Sequence, residues 1–272
     1  MASIASTQLG AAIAKGLFTQ VGPIGMVSLR VGFAALALGL LWRPKVRGHA
    51  AADYRLLLGF GLSLAAMNGL FYCAIARIPI GVAVALEFSG PLAVALIHSR
   101  RRLDFAWVAL AAVGIALLAP TEGSSLDPIG VLLALLAGLG WGLYMVLSAR
   151  TGRAFQGGDG LALAMAVGAV ALLPVGIVSE GTTLLHPHIL LLGLGVSMLS
   201  SAIPYSLEMS ALRQMPLNVF GVLLSLEPAI ASLIGLLVLG ETLTPRMIIA
   251  IVLVTAAAIG TAQTKPAQEP KA

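Results

Sequence analysis

Five ionisable residues stand inside apolar stretches that offer them no water: Lys15, Arg30, Glu87, Glu208 and Glu227. At bilayer depth each costs roughly 2.5 to 3.5 kcal/mol on insertion scales, so such a group normally faces a partner or a water-filled cavity. Two cations and three carboxylates suit a zwitterion and leave one carboxylate to exchange a proton. The competing reading is that the carboxylates simply pair with Arg30 and Lys15 and serve packing. Glu87 is the focus because Pro91 follows it by four residues. A helical proline cannot donate to the carbonyl four positions back, so one position offers both a carboxylate and a freed backbone oxygen. Pro228 frees Leu224 in the same way, with Glu227 beside the break. At membrane depth such a carbonyl must be satisfied by protein or cavity water, and a bound ammonium group would serve as well.

Other polar positions give weaker signals. Ser201, Tyr205 and Glu208 fall on one helical face, as do Asn68 and Tyr72; interhelical hydrogen bonding explains the Ser and Asn residues equally well. Trp141 and Tyr144 either line a cavity or pack against neighbours, and Gly138 with Gly142 reads as close helix approach rather than a phosphate loop. His186 and His188 have too few companions for a metal, and no Ser or Cys nucleophile has a nearby His and orienting acid. No metal, cofactor or enzyme activity is expected. The single cysteine, Cys73, sits in an apolar stretch and forms no intrachain disulfide. The basic residues lie in small groups without interleaved aromatics, so nucleic acid is not an expected partner.

The elements that must position these residues follow from composition. The 272 residues are 59% apolar and 10% charged, with a mean hydropathy of +1.00, which excludes a water-facing surface and leaves an all-α, multi-pass membrane protein with lipid as its solvent. Apolar stretches fall at about 1–19, 23–42, 55–76, 79–98, 104–119, 128–149, 160–179, 188–212, 216–239 and 245–263, ten candidate transmembrane helices. No cleavable signal peptide is evident, since a positive n-region is missing. With both termini inside, the cytoplasmic side holds Arg43, Lys45, Arg47, Arg55, Arg100, Arg101, Arg102, Arg150, Arg153, Arg213, Lys265 and Lys271, against Arg77 and Arg246 outside. That bias predicts N-in/C-in.

The chain also repeats. Residues 68–81, NGLFYCAIARIPIG, align without a gap on 205–218, YSLEMSALRQMPLN, and the same offset carries Pro79 onto Pro216 and Pro91 onto Pro228. The reading is two five-helix repeats, 1–121 and 122–263, with a cytoplasmic tail at 264–272. Because five is odd the second repeat enters from the opposite side, and inverted repeats place a substrate site near the midplane.

Three blocks carry a resemblance: IPIGVAVALEFSGPLAVALIHSRR (78–101), IPYSLEMSAL (203–212) and LLSLEPAIASLIGLLVLGETLTP (223–245). They resemble bacterial inner-membrane threonine/homoserine exporters of the EamA-type branch of the drug/metabolite transporter superfamily, and the similarity runs over nearly the whole chain. Relatives of this kind carry a longer leader before the stretch matching MASI. The resemblance implies a ten-helix inverted-repeat fold whose first four helices in each half build a central cavity. It also implies dimer contacts by the fifth and tenth helices, and export of small amino acids driven by proton exchange. On that reading Glu87 takes the substrate ammonium or the coupling proton, Glu227 the other, and Arg30, with Lys15 second, faces the substrate carboxylate. The alternatives are a broader drug or metabolite exporter and, from another class, an intramembrane lipid-modifying enzyme.

Overall fold

In the computed structural model, residues 1–97, 102–118, 126–204, 207 and 223–264 are described. They form eleven α-helices and, among the described residues, no strand: α1 Ala2–Gly16, α2 Pro23–Trp42, α3 Ala51–Ile75, α4 Ile80–Glu87, α5 Ser89–Ile97, α6 Arg102–Leu117, α7 Pro128–Ala154, α8 Asp159–Glu180, α9 Pro187–Ser197, α10 Glu227–Leu239 and α11 Pro245–Thr264. Five are long and apolar enough to cross a membrane: α2, α3, α7, α8 (with its 3-10 extension to Leu185) and α11. Shorter apolar helices lie within the stretches expected for the fourth, fifth, eighth and ninth spans.

Local chemistry sets the boundaries. Pro23 and Pro128 start α2 and α7 at positions where a missing N–H costs nothing, and the Asp127 carboxylate caps α7 by accepting from the Ile129 N–H at 2.8 Å. Arg77 Nη1 donates to the other Asp127 oxygen at 3.0 Å. That bond, helped by the Ile129 N–H, holds the exposed Asp127 carboxyl below the usual range. This link therefore persists as pH falls through the ordinary Asp range and is lost only below it.

The fourth stretch, expected as one kinked helix, is two: α4 ends at Glu87 and α5 starts at Ser89, with the junction at Phe88. The break falls where Pro91 removes the bond to the Glu87 carbonyl. In the ninth stretch a turn at Ser225 and Leu226 likewise precedes α10, directly after Leu224, whose carbonyl Pro228 cannot bond. The eighth stretch contains an irregularity that the sequence did not announce, a π-helical turn over Met198–Ala202.

Charge and hydrophobicity are distributed inside out. Val178 is 86% and Leu40 76% exposed, while Arg30 is 7% and Glu87 9% exposed. An apolar exterior around buried charges is what lipid as solvent demands. The chain is a multi-pass membrane protein. Within it α3 packs along α7 and α8, α2 along α8, α1 along α10 and the π turn, α4 along α7 and α10, and α6 along α11.

Several crossings are close enough to require glycine. Gly90 of α5 meets the Gly138 carbonyl of α7 with no room for a Cβ, and Gly138 lies where its own Cβ would stand 2.7 Å from the Glu87 carbonyl oxygen. The expected small-residue approach is therefore present, and it bears directly on the helix break. Because the opposing atoms are backbone, Gly90→Ala is expected to lower stability by about 1 to 3 kcal/mol, read as a lower melting temperature in detergent. An unchanged melting temperature would contradict the close crossing.

Candidate functional site

The π turn organises the site. Its widened geometry releases backbone carbonyls from the helical ladder, and such turns often occur at functional positions. The Leu199 carbonyl accepts from Ser6 Oγ at 2.7 Å, and the Ser200 carbonyl from Arg30 Nη2 at 3.3 Å. Arg30 Nε also donates to Ser201 Oγ at 3.3 Å, and Ser197 Oγ donates back to the Arg30 carbonyl at 2.9 Å. The guanidinium stands 5.3 Å from the centre of the Tyr72 ring, within cation–π range. No carboxylate among the described residues pairs with it at ion-pair distance.

Two carboxyl groups stand at the two helix breaks, Glu87 and Glu227. Glu87, the last residue of α4, lies within electrostatic reach of both Arg30 and Glu227. Glu227 opens α10 and accepts a 2.8 Å hydrogen bond from Gln8 Nε2 of α1. Beside Glu87, Phe88 meets Trp141 edge to face at 5.0 Å. Arg30 thus lies beside Tyr72, Glu87 lies within electrostatic reach of Arg30 and Glu227, and Trp141 packs on the residue after Glu87.

The remaining candidates sort differently. Asn68 Nδ2 donates at 2.8 Å to Leu64 of its own helix, the bland role for a buried amide. Tyr144 packs against Phe60 with ring centres 5.2 Å apart, in a separate cluster with Leu57 and Phe155. Lys15 pairs with neither Glu87 nor Glu227. Its Nζ lies 2.6 Å from Glu241 Oε1 and donates to the Ile78 carbonyl at 2.8 Å, while Glu241 Oε2 accepts from the Ile80 N–H at 2.9 Å. Tyr205 and Glu208 lie outside the described residues. Among the described residues no group of three or more His, Cys, Asp or Glu side chains is arranged to hold a metal.

Residues 128–263 match the EamA-like transporter family. The threonine/homoserine exporter RhtA of Salmonella typhimurium (strain SL1344) is 45% identical over 265 residues, covering 96% of this chain and 89% of that protein. RhtA of Escherichia coli (strain K12) is 44% identical over 267 residues, covering 97% and 90%. The chain belongs to the EamA-like transporter family. It is a transporter of the drug/metabolite superfamily, which removes the lipid-modifying enzyme as an alternative. A solved crystal structure with 18% identity superposes with a TM-score of 0.56 over 94% of this chain and 95% of its own, a likeness of fold.

Within this EamA-like chain, sequence reasoning passed over Gln8, Glu241 and Ser200. Gln8 had a usable signal, a primary amide inside the first apolar stretch. Glu241 sits in the turn after α10, where an acidic residue looks like any solvated loop charge. Ser200 gains its place only through the π turn, for which the surrounding residues carry no composition signal.

Proposed function

We propose that this transporter exports small neutral hydroxylated amino acids, of the threonine and homoserine type, across the bacterial inner membrane in exchange for protons. The observation that carries the reading is the buried Arg30 without an ion-pair partner among the described residues, within electrostatic reach of Glu87, which in turn is within reach of Glu227. A guanidinium on one side and carboxylates on the other match the carboxylate and ammonium of a bound amino acid. With both carboxyls ionised the region would carry one negative charge too many, and either a proton or a cationic group neutralises it. Competition between those two is the physical basis of exchange. The near full-length identity to proteins named as threonine/homoserine exporters supports this cargo class.

The reading includes two inverted five-helix halves, 1–121 and 122–263, with both termini cytoplasmic. Reciprocal packing supports it: the first span lies on the ninth as the sixth lies on the fourth, and the third lies on the sixth as the eighth lies on the first. The second and seventh spans pair with each other, as do the fifth and tenth. In this orientation Lys15, Ile78, Ile80 and Glu241 all fall at the outer side. Their ion pair joins the first half to the second there, so alternating access requires it to open in each cycle. Lys15 thus acts in closure rather than in cargo binding. Lys15→Glu and Glu241→Lys are each expected to slow transport about five- to tenfold, and the double exchange to return it within about threefold, since the attraction is restored with sign reversed. Additive losses in the double variant would remove the closure role.

The direct test of the cargo is counterflow of labelled threonine into proteoliposomes, with and without a pH gradient. Threonine should accumulate unchanged in mass and faster with protons available for exchange. Absence of counterflow for every small amino acid tried would overturn the reading.

A further inference from the structure

Gln8 lies in the middle of α1, 2% exposed, with its amide nitrogen committed to Glu227 at 2.8 Å. An ionised carboxylate only accepts hydrogen bonds, so the N–H side of the amide must face Glu227 and the oxygen must point the other way. That oxygen, Gln8 Oε1, is fully buried and has no protein partner. Two more buried polar atoms of the same region are also without partners: the hydroxyl of Tyr72, whose ring lies beside Arg30, and Ser200 Oγ, next to the carbonyl that holds Arg30. Buried polar atoms are normally satisfied in a native protein, and unsatisfied ones call for an explanation such as a ligand.

From these orphaned atoms we infer that Gln8 is the residue that selects for a side-chain hydroxyl in the cargo, its Oε1 accepting the hydroxyl proton while Arg30 and Glu87 hold the backbone charges. This rests on the amino-acid export reading and adds to it a determinant of specificity. Gln8 Oε1 can only accept, so it distinguishes cargo by whether a donor arrives. Threonine brings one. Valine, of nearly the same shape, brings a methyl group and leaves the oxygen buried and unpaired, and sites built to hydrogen-bond a hydroxyl reject analogues lacking it far more strongly than apolar pockets reject an added one. The remainder of α1 is shaped to hold Gln8 still. Ser6 is bonded to the π turn and Gly10 packs tightly against Ser200 on one side of the helix, while Lys15, two turns beyond Gln8, is anchored at Glu241.

The test is the ratio of labelled threonine to labelled valine counterflow in proteoliposomes containing the full chain. Wild type should favour threonine, and Gln8→Met, which keeps length but has no acceptor oxygen, should reduce the preference by roughly tenfold or more. Gln8→Glu is expected to keep most of it, because two carboxyls sharing one proton still present a donor to Glu227 and an acceptor to the cargo. A ratio is independent of how much protein inserts, so a merely structural role would leave it unchanged. If wild type prefers threonine and Gln8→Met keeps that preference, the Gln8 assignment is overturned while the export reading stands. If wild type moves no threonine, both fall together.

Discussion

Glu87→Gln is expected to abolish amino-acid counterflow, by about 100-fold or more, with the amount of protein in the membrane unchanged. The substitution keeps the size of the side chain and its place at the end of α4, and it removes one negative charge from the interior. That charge faces Arg30 and Glu227. In its absence the carboxylate that receives one of the two exchanging groups, the ammonium or the proton, is gone, and the single carboxylate left cannot serve both. Folding should tolerate the change, because an uncharged amide is cheaper to bury than a carboxylate. The helix break is also kept, since it depends on Pro91 and the backbone rather than on the Glu87 side chain. Glu227→Gln provides the comparison. If Glu87 takes the ammonium and Glu227 the proton, Glu227→Gln keeps threonine exchange between equal pools while losing its response to a pH gradient. The opposite pattern would swap the two roles. Normal efflux from Glu87→Gln would remove Glu87 from the mechanism.

What could be read from the chain beforehand follows from how local each cause is. The break at Phe88 was foreseeable because it is produced by a proline at a fixed distance from the carbonyl it orphans, chemistry confined to five residues. Arg30 and Glu87 stood out because a charge in an apolar stretch is expensive wherever the helix packs. The partner of Lys15 was different. Sequence reasoning pointed to the substrate carboxylate or, in the competing reading, to the intramembrane carboxylates, yet the side chain reaches Glu241, whose location beside Ile80 exists only once α4 and α10 have packed. The π turn escaped for a related reason: one extra residue in a helical turn leaves the apolar composition of the stretch unchanged. Close packing of Gly90 on Gly138 was suggested by small residues at four-residue spacing, but which helix they met was a tertiary question.

The Arg30 substitutions separate anchoring from cargo binding. Two of its donors are used within the protein, Nε on Ser201 Oγ and Nη2 on the Ser200 carbonyl, and no described residue bonds Nη1. A guanidinium can hold the π turn and still present an edge to a carboxylate, because its donors fan out in a rigid plane. A lysine ammonium is a single point and cannot reach both, so Arg30→Lys should reduce threonine transport about 10- to 100-fold despite keeping the charge. Arg30→Met should eliminate it. The stability cost is expected to be small: orphaning the Ser200 carbonyl costs about 1 to 3 kcal/mol, and removing a buried cation without an ion-pair partner offsets part of that. Threoninol, which has the ammonium and hydroxyl of threonine but no carboxylate, distinguishes the cause. If Nη1 holds the cargo carboxylate, Arg30→Met loses threonine counterflow and retains whatever threoninol counterflow the wild type supports. If Arg30 serves only to brace the π turn, both substrates fall in parallel with the loss of folded protein, and the carboxylate contact is excluded.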